Sequence, residues 1–280
     1  MGRRRIIWLV IPAIILVAAI AVGIWYMWPY VEGDAEYARL REVAYGGETP
    51  AETTEAGESE DGAAADPLMT RQIDWDALRA INPDVIGWVF VPNSPIDYPV
   101  VQAPVDDPEK YLHTTFEGRV SYPNNEGTIY LDSGNIDDGF ASMAPLLYGH
   151  HQLNNSMFSA FSKNYELDNL NAHNQLYIYT PYGSIHVELF AAQPVNASTY
   201  RIRTDFADQL DLNAWLDEQL ANSTAIAYDP GDVSQLWTFV TCSYHLWRNQ
   251  RTLTYGRTVE STFDPPRDEQ GLLDDVFGEA

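Results

Sequence analysis

Cysteine is nearly absent. Cys242 is the only one in 280 residues. An intrachain disulfide is therefore excluded, and so is a zinc cluster built on cysteine. Lysine is almost as scarce, with Lys110 and Lys163 alone. Lys and Arg together number 16 against 40 Asp and Glu, a formal net charge of −24. Phosphate-backbone binding needs clustered Lys and Arg, so this balance argues against a nucleic-acid partner. No internal repeat is visible. What the chain does have is a 45% hydrophobic and 12% aromatic composition. That is enough apolar surface for a large core and excludes a wholly disordered chain.

The charge is also unevenly placed. Arg3, Arg4 and Arg5 precede residues 6–28, a run without any charge. At about 1.5 Å per residue a helix of that length covers the roughly 30 Å of bilayer hydrocarbon. Trp25, Tyr26 and Trp28 lie where an interfacial aromatic belt would sit, and Glu32, Asp34 and Glu36 follow. The positive-inside rule then puts residues 1–5 in the cytoplasm and everything after Trp28 outside, as a single-pass membrane protein. A cleaved signal peptide is the competing reading. Ala19-Ile20-Ala21 is a candidate cleavage triplet, but the apolar run continues beyond it. Both readings export the rest of the chain.

Residues 46–67 contain no large apolar side chain and are rich in Glu, Gly, Ala and Thr. Such a stretch cannot offset its ordering entropy, so residues 29–69 are expected to be an acidic, disordered linker. Within it Tyr37, Leu40, Val43 and Ala44 fall at helical spacing and suit a short helix. The globular body is expected over 70–263, with an acidic tail over 264–280. Asp74 is an N-cap candidate for a helix that ends before Pro83. Eight short β-branched and aromatic runs follow, at 85–92, 96–102, 127–132, 145–148, 175–180, 184–193, 236–241 and 252–260. Pro181-Tyr182-Gly183 reads as a hairpin turn. Helical intervals are expected at 156–161 and at 210–220, the latter amphipathic. The pattern is mainly β and suggests a barrel or sandwich.

Cys242 ends the run LWTFVT. A catalytic thiol needs a base and a stabiliser for developing negative charge. His150 follows Tyr148-Gly149 at a strand end. His186 lies within a strand pattern and reads as structural. His245 is three residues after Cys242. Arg251 opens the next strand, so a hairpin would return its fixed charge and fork of donors beside Cys242. On pattern alone, a buried cysteine with exposed histidines and a surface arginine stands beside the catalytic reading. A His150-His151 metal site lacks a third ligand at a typical spacing.

The wording of these segments resembles one family. LLYGHHQLNNSMF is similar to the histidine segment of class B sortases, and TFVTC to the signature that ends in the family's nucleophile. RTLTYGR resembles the strand carrying the family's arginine, and INPDVIGWVFVPNSPIDYPVVQ its first barrel strands. KYLHTTFEG, GTIYLD and YRIRTDF match further blocks, in order, over about residues 73–262.

The resemblance implies a closed eight-stranded β-barrel with an N-terminal helix and another between strands six and seven. It implies a membrane-anchored, extracellular cysteine transpeptidase needing no metal or organic cofactor. Its substrates would be secreted proteins with an LPxTG-like or NPxTN-like C-terminal motif. Its acceptor would be an amine of a peptidoglycan precursor or a pilin lysine. By position, Cys242 would be the nucleophile, His150 the acid/base and Arg251 the oxyanion stabiliser, with Arg257 as a more distant substitute. Tyr148, Leu112, Ile202 and Thr241 would line the groove for the sorting motif. Phe239 departs from the family's usual leucine. An inactive barrel that serves as a surface binding module is the reading from another class.

Overall fold

The computed structural model describes residues 3–47, 66–120 and 126–266. It begins with helix α1 (Arg3–Ala44), which contains Pro12 and Pro29. Ile14, Val17, Ile20, Ile24 and Trp28 are all exposed. Among the described residues this is the one helix long and apolar enough to cross a membrane, a test that an N-terminal signal sequence also passes.

The linker expected over 29–69 needs correction at both ends. α1 stays helical to Ala44, and Tyr37, Leu40 and Ala44 are at most 3% exposed within the main apolar cluster. Their spacing gives one stripe, and the barrel covers it. At the other end Asp66 accepts a bond from the Leu68 N–H and caps a 3₁₀ turn, Pro67–Thr70, that buries Leu68 and Met69. Of the expected linker, 48–65 lies outside the described residues, and that stretch has no large apolar side chain.

Helix α2 (Trp75–Ile81) starts as the sequence suggests, with the Asp74 carboxylate accepting from Ala77 N at 2.9 Å. Asn82, held extended before Pro83, ends it. The strands then follow in order. They are β1 (Val85–Phe90), β2 (Asp97–Gln102), β3 (Ile129–Leu131), β4 (Leu146–Tyr148), β5 (Gln175–Thr180), β6 (Gly183–Asn196), β7 (Ala225–Ile226), β8 (Leu236–Cys242) and β9 (Gln250–Ser261). A one-turn helix α3 (Lys110–His113) lies between β2 and β3. Helix α4 (Leu167–Ala172) precedes β5, and α5 (Gln209–Asn222) lies between β6 and β7.

The sheet order is β5-β1-β2-β3-β4-β8-β9-β6, and β6 pairs back onto β5. Eight strands therefore close the barrel, with the two-residue β7 added along β6. Closure leaves those strands without a free edge. The interval expected as helix at 156–161 is a 3₁₀ segment, Phe158–Lys163. Of the tail expected over 264–280 only 264–266 are described, and Asp264 N donates to the Tyr182 carbonyl.

An aromatic cluster supports one end of the barrel. Phe158 packs on Phe161 (5.2 Å between ring centroids) and both meet Phe239 at about 6 Å. Phe239 also stacks on Trp237. All four rings are buried, and each fully buried phenylalanine contributes roughly 1.5–3 kcal/mol. Phe239 thus fills a core position.

Candidate active site

The site is assembled from the ends of three neighbouring strands. β8 and β9 are antiparallel, and their register places Cys242 directly opposite Arg251. The connecting loop is tied down by Ser243 N donating to the Gln250 carbonyl and Leu246 N to Gln250 Oε1. Tyr244 and Asn249 take positive φ at its two ends. β4 runs parallel to β8 with Tyr148 beside Val240, and Gly149 N donates to the Val240 carbonyl. The chain therefore leaves β4 next to the end of β8, and the next residue is His150. A Cβ at Gly149 would lie 2.5 Å from the Phe158 ring, so glycine is what lets this turn sit on the aromatic cluster.

A cleft of about 180 Å³ collects these groups. Cys242, His150 and Arg251 line it together with Tyr148, Leu112, Thr241, Tyr130 and Asp132. A larger cavity of about 640 Å³ lies between α1 and the barrel, and none of these three residues lines it.

His150 does not hydrogen-bond to Cys242. Its Nε2 contacts the Leu112 carbonyl at 2.7 Å. A carbonyl can only accept, so Nε2 carries the proton, and in the neutral ring the lone pair is on Nδ1. Burial pushes the imidazole below its ordinary value. The Leu112 carbonyl opposes that, and the nearby His113 adds to it. Arg251 makes no hydrogen bond or ion pair among the described residues, so its donors are available to a ligand in the cleft. It lies close enough to Tyr130, Tyr148 and Tyr244 to favour their ionised forms. Burial nevertheless keeps Tyr130 and Tyr148 well above the ordinary phenol range.

The remaining histidines separate cleanly. His151 faces the backbone of Cys242, donating a ring N–H hydrogen bond to the Cys242 carbonyl, and its ring lies 5.3 Å from that of His245. It braces the cysteine from outside the cleft. His245 is turned toward Ser162. His186 stacks on Tyr177 at 4.5 Å and contacts Gln175, as a structural strand residue would. Arg257 pairs with Leu236 at the far end of β8, ion-paired to Glu188 at 3.6 Å and donating to the Tyr228 hydroxyl. The structure does not bring Ile202 to this cleft. It packs instead against the second apolar cluster, whose buried members include Leu212 and Leu216 of α5. Thr241 is almost fully buried, so only its edge borders the cleft.

Sequence reasoning missed Asp132, Tyr130, Glu109 and Tyr244. Burial pushes the Asp132 carboxyl up, while bonds from the Gly134 N–H and the Tyr148 hydroxyl hold it down. Thr128, Tyr130 and Asp132 all line the cleft. Their spacing in GTIYLD is the period-2 signal that could have identified them. The Cys242 sulfur, and then burial, push the Tyr244 hydroxyl up to about 12. A tyrosine in an irregular loop carries no comparable pattern. Among the described residues no group of three or more His, Cys, Asp or Glu is arranged to hold a metal ion.

A closed eight-stranded barrel with an N-terminal helix and a helix between β6 and β7 is a sortase-type architecture. Comparison with known proteins agrees. Sortase B of Listeria monocytogenes is 28% identical over 141 residues, 50% of this chain and 55% of that protein. Sortase B of Staphylococcus aureus is 28% identical over 144 residues, 51% of this chain and 57% of that protein. The matched stretch thus spans about half the length of these curated relatives. Among solved structures, sortase B of Clostridium perfringens superposes with a TM-score of 0.59 at 26% identity, over 67% of this chain and 100% of that one. Sortase B of Bacillus anthracis gives 0.65 at 24% identity, over 84% and 99%. A sortase B–substrate complex from S. aureus gives 0.57 at 24%, over 66% and 84%. No family model matches the chain. The chain has the fold of the solved sortase B structures, and about half of its length is similar in sequence to sortase B proteins.

Proposed function

We propose that this chain is a membrane-anchored cysteine transpeptidase that joins secreted proteins to an amine of the cell wall. The reading rests above all on one observation: Cys242 and Arg251 form a cross-strand pair whose cleft also holds His150. The Cys242 thiolate attacks the carbonyl carbon of the threonine in a C-terminal sorting motif, LPxTG-like or NPxTN-like. The carbonyl oxygen becomes an oxyanion that accepts hydrogen bonds from the Arg251 guanidinium. As the tetrahedral intermediate collapses, the protonated His150 imidazole gives its proton to the leaving amine, and a thioester to Cys242 remains. An incoming amine attacks that thioester, His150 takes the amine's proton, and the thiolate is released. A thioester favours aminolysis more than an oxygen ester does, which suits transfer over hydrolysis.

Tyr148 and Leu112 would contact the motif. The acceptor is the amine of a peptidoglycan precursor, and a pilin lysine would react by the same steps. Residues 6–28 would cross the bilayer with Arg3–Arg5 on the cytoplasmic side, leaving the barrel outside the cell.

The test uses the full chain in detergent micelles with a sorting-motif peptide, with and without a primary amine. Amine-dependent ligation is expected from the wild type and from His151→Ala. None is expected from Cys242→Ala or His150→Ala. Amine-independent release of product would instead identify a hydrolase. Ligation that persisted in Cys242→Ala would refute the nucleophile.

A further inference from the structure

We infer that the part of helix α1 just after the apolar span is a positioning element for His150, acting through the strap Glu126–Thr128. The inference rests on the reading of His150 as the acid/base. The His150 imidazole leans on a wall of the cleft.

That wall has two parts. One is the turn of α3, whose Leu112 carbonyl accepts the His150 Nε2 proton. The other is Gly127, which has φ +56°. A Cβ at Gly127 would lie 3.0 Å from the His150 ring, 2.6 Å from the Tyr111 carbonyl and 3.1 Å from the Leu112 carbonyl. The strap therefore touches the imidazole and the peptide groups that orient it. Thr128 N donates to the Tyr111 carbonyl at 2.9 Å, and Thr128 Oγ1 to the Thr114 carbonyl at 3.0 Å.

α1 holds the strap from the other side. The Tyr37 hydroxyl, on a buried ring, donates a short hydrogen bond to the Gly127 carbonyl and lies 3.5 Å from Thr128 Oγ1. Four residues earlier, a Cβ at Gly33 would fall 1.1 Å from Glu126 Oε2, inside the carboxyl group. Only glycine permits that approach. Glu126 is 1% exposed, and both its carboxyl oxygens lack a hydrogen-bond partner. The same helix is clamped beside the strap by Arg119, which bonds Glu32 at 2.6 Å and Glu36 at 2.8 Å, and by Glu36 Oε1 accepting from Glu117 N. A continuous chain of contacts thus runs from Gly33 and Tyr37 through Gly127 to His150. The charged or titratable groups around the imidazole are His113 on α3, Glu109 before it, Tyr130 on β3, Asp132 after it, Tyr148 on β4, Cys242 on β8 and Arg251 on β9.

Tyr37→Phe removes only the hydroxyl and keeps the ring that packs edge-on against Tyr98. In the full chain in micelles it should lower kcat by about 2- to 10-fold, the range one lost hydrogen bond spans, with KM nearly unchanged. The His150 titration, followed by NMR of labelled histidine, should move upward toward its ordinary value. A loosened wall admits water, and burial is the larger influence on that ring. Gly33→Ala should act in the same direction and more strongly. Arg39→Ala is the control. It removes an exposed ion pair from the same helix to Glu117 and should change neither readout. Tyr37→Phe with wild-type kcat and a wild-type His150 titration would overturn the inference. So would a fall in thermal stability alone. A wild type that ligates nothing, with the His150 titration still moving in Tyr37→Phe, would defeat the proposed reaction and leave the coupling standing.

Discussion

Arg251 and Arg257 lie on the same strand and should give opposite results when removed. Arg251 is directly opposite Cys242, so the two Cα atoms lie about 4.5–5.5 Å apart. Arg257 is opposite Leu236, six residues away and roughly 20 Å along the strand. Arg251 has no ion pair to lose, so Arg251→Ala strands no buried partner and should change stability by no more than about 0.5 kcal/mol. Its effect should fall on catalysis. Losing one oxyanion donor typically costs on the order of 10²–10³ in rate. Arg251→Lys keeps the charge but not the planar fork and should fall between Ala and the wild type. Arg257 is ion-paired to a partly exposed Glu188, so Arg257→Ala should cost at most about 1 kcal/mol of stability and leave kcat unchanged. Peptide turnover with an amine acceptor, run beside thermal unfolding, reads both axes. If Arg257→Ala lost activity and Arg251→Ala kept it, the assignment of the oxyanion stabiliser would be wrong.

Gly127→Ala forces a side chain into the left-handed region at about 1–2 kcal/mol and against the Tyr111 carbonyl, so Tm should fall by about 3–8 °C, and kcat should fall because the imidazole is displaced; an unchanged Tm and kcat would remove Gly127 from the account. Glu126 should make stability decline as pH rises. Burial first, then Asp34, Glu36 and Glu32, against the opposing Arg119, push its carboxyl from 4.5 up to about 8. Between those values the folded chain holds a proton that the unfolded chain has released, so stability falls by a few kcal/mol at most across that window and no further above it. Glu126→Gln should flatten the profile, checked by Tm at pH 5 and pH 8. A slope that persisted in Glu126→Gln would place its origin elsewhere.

Much of this fold was legible because its strands are short, β-branched and aromatic, and bounded by turn residues. Asp74 announced α2, and the Cys242–Arg251 pairing followed from hairpin spacing alone. The extent of α1 did not. Its second half is acidic on the solvent side, and it runs into a stretch with no large apolar residue, so composition there outweighed the stripe of Tyr37, Leu40 and Ala44. β7 is two residues long and α4 six, too short for any period to register. Ile202 lies in a block whose wording resembles the family's, and wording does not fix which way a side chain points. The link from Tyr37 to Gly127 spans 90 positions, and no local pattern could announce it.

The central claim is that Cys242 carries the acyl group between two amines. Intact-protein mass spectrometry of the full chain, quenched in acid soon after mixing with a sorting-motif peptide, tests it most directly. The expected result is an added mass equal to the peptide up to and including its threonine, mapped to Cys242, removed on adding a primary amine, and lacking in Cys242→Ala. The adduct should accumulate far more slowly in His150→Ala. An adduct on another residue, or turnover to product with no adduct on Cys242 at any time, would contradict it.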